Sequence, residues 1–141
     1  MKKTVYISGQ ISGLSKEDSW ANFHQAEMHL VHEGYKTINP LRFTFPKVLH
    51  WLSDKFKAKG DWAYKFTLLH DLWVLAKCDY IYKMPGWKDS VGAQIESCWA
   101  FNLGVWTLPK VVRERVDRRM TKWYEKQRSK KDDHQPQETQ P

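Results

Sequence analysis

The chain has 141 residues, 41% of them hydrophobic and 14% aromatic, which suits one domain with a proper core. Its two cysteines, Cys78 and Cys98, each lie inside an apolar segment. They read as buried small hydrophobes in a reducing compartment, which excludes a disulfide framework; with no signal peptide and no run of bilayer length, a cytosolic protein is expected. The formal net charge is +7, and the basic residues concentrate beyond Lys110, so the charge argues for a polyanion partner of the C-terminal end and says little about the core.

Lys3 to Ser8 is β-branched and aromatic, the composition of a buried first strand. Gly9 to Gly13 follows as a glycine-bounded loop. Ser19 to Glu33 reads as an amphipathic helix with Trp20, Phe23, Ala26, Leu30 and Val31 on one side, stopped by Gly34. Tyr35 to Asn39 is a second short strand, ended by Asn39-Pro40. Leu41 to Gly60 is read as an insertion covering one edge of a pocket, with a short helix starting at Pro46 and running through Trp51 and Phe56.

Asp61 caps a longer helix to about Lys77, whose Trp62, Phe66, Leu69, Trp73 and Ala76 recur at helical spacing. Tyr80 to Met84 is a third strand, Pro85-Gly86 a turn, and Ser90 the N-cap of a helix through Leu103, stopped by Gly104. Val105 to Leu108 is a fourth strand, broken by Pro109. A charged helix follows from Val111 to about Gln127, with Val112, Val116, Met120 and Trp123 or Tyr124 on one stripe. From Arg128 the polar composition predicts a disordered tail. The expected division is therefore 1–108 as the domain, 109–127 as a basic helix and 128–141 as tail. Alternating strands and helices predict an α/β fold with a parallel sheet wrapped by helices.

In such a sheet the loops after strands one and three share a rim, which brings Ser8 to Gly13 close to Gly86 to Glu96. Backbone N–H groups beside two glycines, with the hydroxyls of Ser8 and Ser12, suit a phosphate or a sugar. Tyr6 and Ser8 point to the same face of their strand. Asp71 lies in the apolar stretch Thr67 to Ala76, where an unpaired carboxylate is costly. His70 reads as exposed or locally paired, and Asp79 as a loop hydrogen-bonder. Glu96 sits near the second turn of the Ser90 helix, and Gly92 in its first turn leaves the backbone approachable.

Two carboxylates with a tyrosine and a loop of this kind suggest glycosyl chemistry, in which one carboxylate attacks the anomeric carbon and another group assists the leaving group. Trp87 is placed to stack on a nucleobase. His24, His29 and His32 lack metal spacing on one helical face, the two cysteines are too few for a structural zinc, and no Walker or Rossmann glycine fingerprint is present. No metal or organic cofactor is expected.

The pieces Tyr6-Ile-Ser-Gly-Gln-Ile-Ser-Gly13, Ile38-Asn-Pro40, Asp71 with Cys78-Asp79, Pro85-Gly-Trp-Lys-Asp-Ser90 and Gly92-Ala-Gln-Ile-Glu96, followed by Ala100 and Leu103-Gly104, together resemble the nucleoside 2-deoxyribosyltransferase superfamily, including its deoxynucleoside monophosphate N-hydrolase branch. The chain looks most like a group of small bacterial and phage proteins placed in that superfamily. The resemblance covers about residues 1–108. It implies a flavodoxin-like three-layer sandwich of four to five strands and a homo-oligomer, often with a neighbouring subunit completing the pocket.

Carried over by position, the resemblance makes Glu96 the nucleophile that forms a covalent deoxyribosyl intermediate. It makes Asp71 the acid contacting base or sugar, and Tyr6 the residue orienting Glu96. Ser8, Gly9, Gln10, Ile11, Ser12, Gly13, Gly86, Trp87, Ser90 and Gly92 are the expected substrate contacts. The N-hydrolase branch carries an arginine in the first loop where this chain has Ser12, so a phosphate would need Lys16, Lys88 or Arg42 instead. The expected activity is cleavage or transfer of the N-glycosidic bond of a (deoxy)nucleoside or its monophosphate. The competing expectations are a non-catalytic nucleotide or nucleotide-sugar binding module, and a protein associated with nucleic acid through its basic tail.

Overall fold

The structure is a computed structural model and describes residues 1–11, 13–43 and 62–134. Ser12, the predicted helix from Pro46 through Trp51 and Phe56, the Asp61 cap and the last residues of the predicted tail lie outside the described residues. The elements are β1 (Thr4–Ser8), α1 (Lys16–His32), β2 (Lys36–Ile38), α2 (Trp62–Leu75), β3 (Tyr80–Lys83), α3 (Val91–Asn102), β4 (Trp106–Thr107) and α4 (Lys110–Asp132). Short 3-10 turns occupy Pro40–Arg42 and Trp87–Asp89.

All strand pairings are parallel, in the spatial order β2-β1-β3-β4. This is the flavodoxin-like order, and it reverses direction between β1 and β3, where open α/β sheets bind ligands at the carboxyl ends of their strands. Tyr6 pairs with Ile81 and Ser8 with Lys83 in the β1–β3 register.

The two-residue period of the strands sorts side chains into two cores, one on each sheet face. Val5, Ile7, Tyr82 and Met84 pack with Phe23, Ala26 and Leu30 of α1 and with Val116 and Met120 of α4. Tyr6 and Ile81 pack with Leu72 and Leu75 of α2 and with Ala100 of α3. The molecule is a three-layer sandwich.

Three features of the sequence reading change. The α2 stripe expected to face inward faces out: Phe66 is 52%, Leu69 60% and Trp73 59% exposed. Leu68, Leu72 and Leu75 meet the sheet instead. Both stripes are apolar at helical spacing, so periodicity alone had no way to choose between them. Cys78 is buried as expected, but Cys98 is exposed, on the outer side of α3.

The last helix is the third change: it runs past Gln127 to Asp132 and is tied along its length to the domain. Arg115 donates to both carboxylate oxygens of Glu33, at 3.1 and 2.7 Å, and Arg119 adds a third contact. Trp123 Nε1 donates to Asn22 Oδ1 at 3.1 Å, and Lys131 reaches Asp18. The Arg115 guanidinium holds the Glu33 carboxyl below its usual range. Three basic residues of α4, Arg115, Arg119 and Lys131, therefore serve to dock it against α1 and its C-terminal end.

Candidate active site

β1 delivers Tyr6 and Ser8 to the face covered by α2 and α3. Ser90, with φ −112° and ψ 119°, starts α3 by accepting the Ala93 N–H on its Oγ at 3.3 Å. One turn further, Glu96 projects back over the end of β1 and is only 8% exposed. Ser8 Oγ donates to Glu96 Oε1 at 3.1 Å. Glu96 Oε2 is buried and has no hydrogen-bond partner among the described residues, and the same holds for Tyr6 Oη and Asp71 Oδ1.

The three groups sense one another through a medium that excludes water. Burial pushes the Glu96 carboxyl from 4.5 up to about 7; the Tyr6 and Ser8 hydroxyls draw it down, while the charge of Asp71 adds to the rise. Burial also pushes Asp71 from 3.8 up to about 7. Tyr6 is held well above its ordinary range by burial first and then by the charges of Glu96 and Asp71. The Tyr6 hydroxyl acts on Glu96 as a neighbouring dipole, without a hydrogen bond of ordinary geometry. His70 Nδ1 lies 3.5 Å from Asp71 Oδ1. Both carboxyls are thus raised toward neutrality, and the charge of Asp71 further disfavours that of Glu96.

The other expected contacts divide. Gly9 is buried because the chain crosses Met84 here: an added Cβ would strike Met84 Cε and stand 3.3 Å from Met84 Cβ. Gly9→Ala is expected to destabilise the fold by about 1–3 kcal/mol through overpacking. Thermal denaturation checks this, and an unchanged melting temperature would mean that Met84 swings aside. Gln10 is half-buried, and Ile11 and Gly13 are exposed on the rim. Ser90 is buried and its hydroxyl is committed to the α3 cap, so its role is to start the helix that carries Glu96. Gly92 is half-buried beside it, with only Ser90 Oγ near an added Cβ.

Gly86 and Trp87 do not join Glu96. They line a separate cleft of about 420 Å³ with Lys83, Pro85, Lys88, Asp117 and Thr121. Gly86, at φ +89°, supplies the left-handed turn that leads from β3 into it. A second hollow, bounded by Met1, Lys2, Thr4, Val31 and Tyr35, opens at the amino ends of β1 and β2, the opposite end of the sheet from Glu96.

Reasoning from sequence missed Lys83 and Ser97. Lys83 Nζ donates to Ser97 Oγ at 3.2 Å, next to Glu96 along α3. The available signal was the register of β3: by the two-residue period Lys83 shares a face with buried Ile81, an unusual place for an ammonium group. Among the described residues no three His, Cys, Asp or Glu side chains are grouped to hold a metal ion.

The family model described as "Domain of unknown function (DUF4406)" matches residues 3–108. The chain belongs to this family. The DUF4406 match takes in β1 through β4 and with them Tyr6, Ser8, Asp71 and Glu96; it ends just before α4, which covers one face of the matched sheet. No curated protein and no solved structure matches the chain. Among the described residues no helix is long and apolar enough to cross a membrane.

Proposed function

We propose that this DUF4406 protein cleaves or transfers the N-glycosidic bond of a nucleoside or nucleoside monophosphate through a glycosyl ester on Glu96. The observation that carries the reading is the Glu96 carboxyl itself. It is buried at the topological switch point, held at Oε1 by Ser8, unpartnered at Oε2 and electrostatically coupled to Tyr6 and Asp71.

Ionised Glu96 attacks C1′ with Oε2. The C1′–N bond breaks, its electron pair leaves with the base, and the base nitrogen takes the proton of neutral Asp71. Water, or a second base, then attacks C1′, its proton passes to Asp71, and the ester C–O bond breaks to regenerate the Glu96 carboxylate. Tyr6 and Ser8 hold the nucleophile in position. The resemblance to the nucleoside 2-deoxyribosyltransferase superfamily supports the same roles for the same residues.

The test is incubation with a panel of ribo- and deoxyribonucleosides and their 5′-monophosphates, with free base followed by chromatography. Release of base from at least one of them is expected. Ligand-induced thermal stabilisation without any base released would instead mark a binding module.

The outer surface of α2 and α3 supports a homo-oligomer. Leu69, Trp73, Trp99 and Phe101 are each 49% to 86% exposed there. The only ionisable carboxylate of α3, Glu96, is buried, so this face carries little charge on a protein of net charge +7. A second copy meets it without the repulsion that the α4 side would impose, and a helix apolar on all sides is normally a covered one. The wild type is expected to sediment as an oligomer. Trp99→Glu, which places a charge on an exposed position, is expected to raise the dissociation constant at least about tenfold, as loss of a central aromatic anchor does. A monomeric wild type would refute the assembly.

A further inference from the structure

The cleft beside Trp87 has features that the chemistry at Glu96 does not use. Lys83 Nζ stands 4.4 Å and Lys88 Nζ 5.9 Å from the centre of the Trp87 ring. Arg113, in the first turns of α4, is close enough to act with Lys88 in disfavouring the charge of Lys83, after the effect of burial. Lys83 and Lys88 thus line one concave site, with the positive charge of Arg113 close enough to Lys83 to act on it.

Among the described residues none of the three has a carboxylate within ion-pairing distance; the ion pairs of the domain lie elsewhere, at Glu27, Glu33, Asp18 and Glu114. The one carboxylate lining the cleft, Asp117, accepts the Tyr82 hydroxyl at 2.8 Å, and the partner of Lys83 is the neutral Ser97. A cation cluster that repels itself, is partly buried and lacks carboxylate partners is balanced by an anion from solution.

Its position gives the anion a context. Lys83 is the cross-strand partner of Ser8, which holds Glu96, so the cleft lies on the same rim as the proposed nucleophile, at the carboxyl ends of the strands. A volume of about 420 Å³ has the scale of a small-ligand site rather than of a polymer groove.

The geometry points to a phosphomonoester site in this cleft, with Lys83 and Lys88 receiving the phosphate and a nucleoside 5′-monophosphate as the favoured substrate. As a statement about substrate, this rests on the proposed glycosidic activity; as a statement about an anion site, it does not.

The experiment has two independent arms on the full-length protein. In the first, inorganic phosphate is titrated by calorimetry into the wild type, Lys83→Met and Lys88→Glu. Lys88 is exposed, so its variant tests the site without threatening the fold. Phosphate is expected to bind the wild type and to lose at least about tenfold in affinity in each variant, the scale of a charge-assisted contact. In the second, kcat/KM is compared for a nucleoside and its 5′-monophosphate. Lys88→Glu is expected to lower the monophosphate value at least about tenfold more than the nucleoside value.

Phosphate affinity that is equal in wild type and variants overturns the site. Tight, lysine-dependent binding of a single-stranded oligonucleotide with no response to phosphate or monophosphate also overturns it, in favour of a nucleic-acid surface. If no base is released from any substrate while phosphate binding still depends on Lys83 and Lys88, the glycosidic reading fails and the anion site stands.

Discussion

Glu96→Gln is expected to lower base release at least about a thousandfold, the scale on which loss of a covalent nucleophile is felt. The amide keeps the volume of the side chain and can still meet Ser8 Oγ, so the loss is chemical rather than structural. Rapid quenching of the wild type followed by intact mass measurement is expected to show the glycosyl group added at Glu96, and the glutamine variant none. Activity of the variant within tenfold of wild type would remove Glu96 from the reaction.

The pH profile follows from the same coupling. Below about pH 7 Glu96 is increasingly protonated and has no charge to attack with, and above it Asp71 loses the proton it must donate. The rate is expected to peak near neutrality and to fall on both sides. Asp71→Asn stays neutral at every pH but has no proton to give, so a lower rate without the basic limb is expected, with the acidic limb of Glu96 kept.

The second large effect is on stability. Glu96 has a folded pKa of about 7 against 4.5 in the unfolded chain, so the native state holds this proton more tightly. As pH rises from about 4.5 the unfolded chain ionises first and is lowered in free energy relative to the native state. Stability therefore falls as pH rises toward 7 and levels off above it. The whole effect amounts to at most about 3 kcal/mol. Glu96→Gln removes the titrating group and is expected to be more stable than wild type above neutrality, with the gain shrinking toward zero as pH falls to about 4.5. Urea denaturation of both proteins at an acidic and an alkaline pH measures this. A gain that does not grow with pH would show that Glu96 carries its charge without cost. The same burial that makes the group reactive makes its ionised form expensive, so variants that inactivate the site are expected to stabilise the fold.

Much of this site was legible in the chain. A carboxylate after a capped strand-to-helix turn, a tyrosine and a serine two residues apart on the first strand, and an aspartate inside an apolar helix are local patterns. The parallel topology then places them on one rim. Ser90 was legible as the cap of α3, because a helix start leaves N–H groups that the nearest hydroxyl satisfies, and its Oγ accepts the Ala93 N–H.

The amino-acid sequence by itself determined the order of strands and helices, the alternation that separates the two cores, the caps and stops, and the identity of the three side chains proposed to react, Tyr6, Asp71 and Glu96. These follow from contacts between residues close along the chain and from periods of 2 and 3.6. Three things were decided only by the tertiary structure. One is which apolar stripe of α2 faces the sheet. Another is the docking of α4 through Arg115 and Glu33, which extends an ordered helix past Gln127. The last is the approach of Arg113, on α4, to Lys83 at the end of β3. Each depends on groups far apart in sequence, and their free energies exist only once the sheet has brought those groups within a few ångströms of one another.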